Sequence, residues 1–352
     1  MTTFIQLHIL TAYAPANLNR DDTGRPKTAI MGGVERLRIS SQSLKRAWRT
    51  SEVFESALSG HIGIRTRRLG SEVYKQLRAG GVDEKNALSI AGMIAGKFGK
   101  LKADKNAKAP ENLNIEQLVH ISPSEYQLIN QLVERLIAEK REPEEHELKL
   151  LRETASGVDI ALFGRMLASS PEFNVEAACQ VAHALGVSAV TVEDDFFTAV
   201  DDLNRKEDDA GSAHMGEKGF ASALFYSYIC ISRDLLLENL NHDEALVART
   251  LKALTETAIT VSPTGNQNSF ASRAYASYVL AEKGCQQPRA LSVAFFNPVR
   301  GEDQQDQAIQ RLQQQRQKFE RAYGQREGER HYEMNVESGD GSLQELLEFV
   351  SQ

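Results

Sequence analysis

The feature that most constrains this chain is a hydrophobic period that changes twice. Residues 3–10 alternate, with Ile5, Leu7 and Ile9 set for one face of a strand and Phe4, Gln6 and His8 for the other. From about 61 to 185 the apolar spacing turns helical, near 71–79, 83–97 and 124–139, and the segment grows more charged. Strand-like sequence then returns in FASALFYSYICIS (220–232), at 275–282 and in RALSVAFF (289–296). A repeat of 3.6 and a repeat of 2 put different side chains on a common face, so one stretch cannot serve both. The chain must therefore leave a sheet, build helices, and return to the sheet.

The remaining elements fit between these. A polar, turn-rich loop follows the first strand, and VERLRI (34–39) alternates as a short second strand. SSQSLKRAWRTSEVFESAL (40–58) reads as one helix with Ser40 or Ser41 as N-cap, and with Leu44, Ala47, Trp48, Ser51 and Leu58 on its apolar stripe. The acidic run from 194 to 219 lacks helical periodicity and reads as a hairpin or loop. Residues 242–260 and the polar stretch 303–323 read as helices. Without the helical insertion and the hairpin, the order is strand, helix, strand, helix, strand, strand. The expected fold is α+β, on the split βαβ plan of ferredoxin-like and RRM domains. RRM sheets stack bases on aromatics. Here the first strand offers only Phe4, so that mode is not predicted.

With 41% hydrophobic and 25% charged residues, the composition is that of a globular chain. No apolar run approaches the ~20 residues a membrane span needs, and the N-terminus lacks signal-peptide features, so a cytoplasmic protein with no membrane partner is expected. Cys179, Cys230 and Cys285 are dispersed and odd in number, and the eight histidines form no metal-ligand spacing. No cofactor or metal is expected.

The net charge of −7 hides an asymmetry. Between Arg20 and Arg78 there are 13 Lys/Arg against 6 Asp/Glu, a net of +7; the rest carries 28 against 42, a net of −14. A basic N-terminal surface on an acidic body suits an anionic partner, but it equally suits head-to-tail contact between copies. Within the basic region, ISSQSLKRAWR (39–49) places Lys45, Arg46 and Arg49 in what reads as the first two turns of a helix. Cations there oppose the helix dipole unless an anion occupies the helix end. The segment is thus either a phosphate site or a solvated basic face paired with acids such as Glu52. The Lys-rich stretch 100–110 reads as a solvated loop, with RNA contact as the alternative.

LNRDDTGRPKTAIMGGVERLRISSQSLKRAWR (18–49) resembles the N-terminal signature of the CasC-type backbone subunit of type I-E CRISPR Cascade. The resemblance recurs in order through GVDIALFGRMLAS (157–169), DDFFTAVDDL (194–203), GSAHMGEKGFASALFYSY (211–228) and GNQNSFASRAYASYVL (265–280). It implies an RRM-like palm in two parts, 1–58 and 220–352, helical fingers at 59–185 and a protruding thumb hairpin at 186–219. It also implies stacking of several copies along CRISPR RNA, contact with other Cascade subunits, and target DNA met through the guide. Carried over by position, Arg20, Lys27, Ser40, Gln42, Lys45 and Arg49 would grip the RNA backbone. Met166, Phe197 and Met215 would be apolar wedges at a kink. Met166 and Phe197 read equally as core, whereas Met215 sits in a Gly-bracketed turn, GSAHMG, with no local core to join.

The resemblance implies no catalysis. Two rival readings stand beside it. In one, Asp201 and Asp202, with Asp194 and Asp195, hold Mg²⁺ in an endoribonuclease, although Asp208 and Asp209 extend the same run as a solvated loop would. In the other, the chain is an oligomeriser that needs no RNA.

Overall fold

The structure, a computed structural model, describes residues 2–102, 108–152, 157–199, 214–325 and 327–352; for Ala199, His214 and Met215 only the backbone is described. Its strands are β1 (Phe4–Ala16), β2 (Thr28–Met31), β3 (Val34–Ile39), β4 (Ile64–Thr66), β5 (Val119–Ile121), β6 (Cys179–Val181), β7 (Ala184–Gly186), β8 (Glu193–Ala199), β9 (His214–Ser232), β10 (Tyr278–Gly284) and β11 (Arg330–Asn335). Its helices are α1 (Ser41–Arg49), α2 (Glu52–Ala57), α3 (Leu69–Ala79), α4 (Glu84–Phe98), α5 (Pro123–Glu139), α6 (Val158–Phe163), α7 (Arg233–Asn239), α8 (Glu244–Thr260), α9 (Gln267–Phe270), α10 (Gln304–Tyr323) and α11 (Leu343–Ser351). Two compact units form. The sheet unit comprises Met1–Phe54, Val181–Ile231 and Leu251–Gln352, and the helical unit Glu55–Gln180 and Ser232–Thr250.

The sheet unit is mixed α+β, with strand order β11-β10-β1-β9-β7-β3-β2. β1 and β10 are antiparallel, from Phe4 opposite Gly284 to Leu10 opposite Tyr278. β8 pairs antiparallel with the first part of β9, Glu193 opposite Phe220 through Ala199 opposite His214. That ladder gives the acidic segment its hairpin-like form. β9 then continues without a break into the sheet, although its sequence reads as a strand only from 220. The β2–β3 turn uses Gly32 and Gly33, both at positive φ (62° and 77°), as a tight hairpin of this twist requires. A Cβ on Gly32 would lie 1.7 Å from the Phe296 carbonyl oxygen, so only glycine fits there.

Several expectations need correction. β1 runs to Ala16, past the expected loop start, and both of its faces are covered: Gln6 and His8 are as buried as Ile5, Leu7 and Ile9. Residues 289–296 form no strand; Ser292–Phe295 is a 3₁₀ turn. It packs with Val299 and α10 residues Ala308, Ile309 and Leu312 against Leu10, Tyr226, Tyr278 and Leu280 of the sheet. This layer buries the sheet aromatics Tyr226 and Tyr278, so they offer no platform for bases. The expected helix 40–58 is two helices, because Ser51 turns its hydroxyl to the Trp48 carbonyl and then accepts from the Phe54 N–H. The tail beyond the polar helix adds β11 and α11.

The polar residues beneath that layer are satisfied as a network. Leu291 N–H donates to the Tyr226 oxygen (3.0 Å), Tyr226 O–H to His8 Nδ1 (2.9 Å), and His8 Nε2–H to Glu282 (3.0 Å). Glu282 also accepts two bonds from Arg289 and one from Arg316. Burial holds His8 below its ordinary pKa, in the neutral form this chain of donors requires. Burial alone would raise Glu282, but the hydrogen bonds from His8 and Arg289 outweigh it and keep the carboxyl well below the usual range. Both native pKa values are depressed, so the unfolded chain binds more protons and stability falls as pH falls. The His8 contribution is present above 6.5, its unfolded value. It declines below that by at most about 1.4 kcal/mol per pH unit. Glu282 adds to the loss below 4.5. His8→Gln should flatten the stability–pH curve between those two values in urea titrations. An unchanged slope there would show that His8 does not titrate on unfolding.

In the helical unit, α4 sets Ala87, Ile90, Ala91, Ile94, Ala95 and Phe98 on one buried stripe, against Leu69, Val73 and Leu77 of α3 and Ile129, Val133 and Leu136 of α5. The sequence SPSE starts α5 through a full capping box, Ser122 with Glu125, and Pro123 in the first turn. Residues 232–250, grouped by sequence with the second part of the sheet, belong to this unit.

Candidate nucleic-acid interface

Of the candidate cations of the sheet unit, Arg20 and Lys27 lie on a turn tied to the start of α1. Ser40 is its N-cap and accepts from the Ser43 N–H at 3.3 Å; the Ser40 N–H donates to Asn19 Oδ1 at 2.9 Å. Asn19 therefore ties the loop after β1 to the helix start. Within that loop Asp21 accepts from Thr23 and Arg25, and Lys27 N–H donates to the Asn19 carbonyl, so Arg20 and Lys27 flank one tight turn. Arg38 N–H donates to the Lys27 carbonyl, joining the turn to β3. Asn17 holds the turn from behind through the carbonyls of Gly24 and Gly219.

His183 feels several of these charges. Burial, then the charges of Arg38, Lys27 and Lys45, hold its pKa below the ordinary value. Arg38 also lies 3.0 Å from His183 Nδ1. Arg38 thus meets both His183 and the Lys27 main chain, and Gln42 is exposed on α1. Ser40 is buried, its hydroxyl engaged in the cap. Arg49 ends the helix, roughly 12 Å along the axis from Ser41 at 1.5 Å per residue.

The helix length overturns one expectation. α1 has nine residues, so Arg46 and Arg49 lie in its last turn, where the dipole favours cations. The dipole therefore gives no reason for an anion here. The basic turn tied by Asn19 to the helix start supplies one instead. Asn17, Asn19, Arg38 and His183 were not singled out in the sequence; Arg38 had a signal, since the alternation of VERLRI puts Arg36 and Arg38 together on the face opposite Leu37 and Ile39.

The apolar candidates are placed as follows. Phe197 lies on β8 opposite Gly216, with its ring so close that a Cβ on Gly216 would meet it at 2.4 Å. It is 42% exposed, and its neighbour Phe196 is 66% exposed, so neither is core. The Met215 backbone lies in β9 opposite Thr198, in a ladder rather than the expected turn. In the helical unit, α6 ends at Gly164 and Met166 stands 77% exposed, which excludes the core reading for it. Asp201, Asp202, Asp208 and Asp209 lie outside the described residues. Asp194 pairs with Arg25 at 2.9 Å. Among the described residues no group of three His, Cys, Asp or Glu could hold a metal ion, and no helix is long and apolar enough to cross a membrane.

The CT1975-like protein family matches residues 5–348. The chain belongs to this family. It superposes with a TM-score of 0.82 and 30% identity, over 99% of both chains, on a chain of a "CRISPR RNA-guided surveillance complex, pre-nicking". A second chain, from a "CRISPR RNA-guided surveillance complex", shares the fold at a TM-score of 0.60 and 24% identity, over 97% of this chain and 91% of that one. A search of curated proteins finds no match. For a CT1975-like protein, the cluster around α1 is the part of the sheet unit where the listed motifs and the observed charge coincide.

Proposed function

We propose that this CT1975-like protein is a non-catalytic subunit of a Cascade-type surveillance complex, one that oligomerises along CRISPR RNA and leaves the guide bases free to pair with target DNA. The reading is carried by the hydrogen bonds of Asn19, Lys27 and Arg38, which tie the basic turn of Arg20 and Lys27 to β3 and to the start of α1. The family membership and the likeness to a chain of an RNA-guided complex agree with it. In this reading the sheet unit is an RRM-like palm, the helical unit the fingers and the β8–β9 hairpin the thumb. A cation patch on a sheet unit whose Tyr226 and Tyr278 are buried suits phosphates rather than bases, and a coat for any guide must bind without reading sequence. Phe197, Met215 and Met166 would be the apolar contacts at a kinked base step, as side-chain wedges are elsewhere.

The test is RNA affinity against salt for Lys45→Ala with Arg49→Ala. Loss of two phosphate contacts should weaken binding to all sequences alike and lower the log–log salt slope by about 1.4, at about 0.7 per contact on single strands. Wild type with Mg²⁺ should leave the RNA uncut. An unchanged slope in the double variant would remove these two residues from the interface, and Mg²⁺-dependent cleavage would overturn the non-catalytic reading.

A further inference from the structure

The helical unit carries a second concentration of positive charge, separate from the cluster at α1. A groove of about 690 Å³ is lined by Arg65, Arg67, Arg68, Lys100 and Lys102, with Glu116 as the carboxylate among its lining residues. Backbone pairing builds it. Residues 114–116 run extended between two other segments: Ile115 N–H donates to the Arg67 carbonyl at 2.8 Å, while Lys102 N–H donates to Asn114 and Glu116 N–H to Lys100, each at 2.8 Å. Leu101 and Ile115 form the bridge at the centre. Lys100 and Lys102 flank Leu101, and Arg65 on β4 and Arg67 in the bend that follows it line the same groove. The fold therefore sets cations from two segments around one groove.

We infer that this groove is a second nucleic-acid contact, which takes the phosphate backbone rather than the bases. The cations are exposed, and Arg68 has a carboxylate neighbour in Glu72 at 3.6 Å. Five like charges around one concavity raise the local potential and draw in an anion. Arg65 and Arg67 offer planar forks suited to phosphate oxygens, and the lysines add point charge. Among the described residues no aromatic lines the groove, so they supply no stacking platform of the kind with which single-strand binders hold bases. The contact is therefore blind to sequence. The groove also shares Lys100, Ile115, Glu116 and Leu118 with a smaller cavity lined by Met166. A strand seated on the cations would thus run beside that exposed methionine. This also gives the described start of the Lys-rich stretch a role, which sequence left open between solvation and RNA contact.

The experiment uses the full chain with two labelled probes of equal length, a single-stranded RNA and a DNA duplex, each titrated across a range of salt. Arg67→Gln with Lys100→Gln is expected to lower the salt slope by about 1.4 on the RNA or about 1.8 on the duplex, at about 0.7 and about 0.9 per lost contact. The probe that responds identifies the strand. Arg65→Gln with Lys102→Gln, the other cation of each segment, should do the same, and thermal unfolding should match wild type for both variants. Unchanged slopes on both probes would overturn the inference, and so would loss of self-association with nucleic-acid binding intact, which would make the groove a seat for an acidic protein surface. The parallel Lys45/Arg49 variant separates the two sites. If it lowers the slope and the groove variants do not, the groove fails while the α1 interface stands; the reverse result removes the α1 interface and keeps the groove.

Discussion

Arg165→Met is expected to cost the helical unit about 3–5 kcal/mol, because it leaves a buried carboxylate without its cation. Arg165 and Glu125 have side chains 1% and 0% exposed, with Nη1 to Oε2 at 2.7 Å. Glu125 further accepts the N–H of Ser122 and of Arg152, and Arg165 donates to the carbonyls of Arg152 and Phe173. The substitution keeps the volume and strands the charge. Denaturant titrations of Arg165→Met, Glu125→Gln and the pair together should show the double variant losing less than the sum, with a coupling of about 0.5–3 kcal/mol. Additive losses, or a single-variant loss below about 1 kcal/mol, would mean that the pair is not what holds this region. The effect reaches the candidate site. Arg165 exchanges both backbone hydrogen bonds with Val175, and Leu167 N–H donates to Asn174, so Met166 stands outward between two anchored neighbours.

Arg36→Met is expected to destabilise the sheet unit by about 2–4 kcal/mol, through buried carbonyls that each lose a donor. Arg36 is 0% exposed, and its guanidinium is met by main-chain oxygens. Nη1 donates to Gly186 and Val187 at 3.1 and 2.7 Å, and Nη2 to Phe295 at 3.1 Å. One planar fork thus ties β3 both to the end of β7 and to the 3₁₀ turn of Ser292–Phe295. A lysine cannot serve both segments from a single ammonium. Arg36→Lys should therefore melt nearly as early as Arg36→Met. A lysine variant with wild-type thermal stability would show that charge alone, and not the fork, is needed. Because Arg38 follows on the same strand and Ser40 caps the helix after it, both variants should also weaken RNA binding in proportion to the folded fraction lost.

Much of the fold was legible where a period was strong. The stripe of α4, the capping box of α5 and the alternation of β1 each depend on residues near one another in sequence, so local physics sufficed. The break at Ser51 was not legible, because a serine on an apolar stripe gives no sign that its hydroxyl will fold back on Trp48. RALSVAFF reads as a strand because β-branched and aromatic residues favour a buried surface of either kind, and packing decided for a 3₁₀ turn.

The candidate site divides in the same way. Sequence alone determined that a basic N-terminal region is joined to an acidic remainder, and that Arg20, Lys27, Lys45 and Arg49 fall within motifs of one family. It could not tell Arg36 from Arg38: two residues of one type on one strand, one locked beneath the 3₁₀ turn and the other set beside His183. Nor could it bring Lys100 to Arg67, because the segment that joins them, residues 114–116, lies distant in the chain from Arg67. Hydrophobic period and capping act over a few residues and can be read locally. Which charges share a groove depends on contacts between distant segments, and only the folded chain decides that.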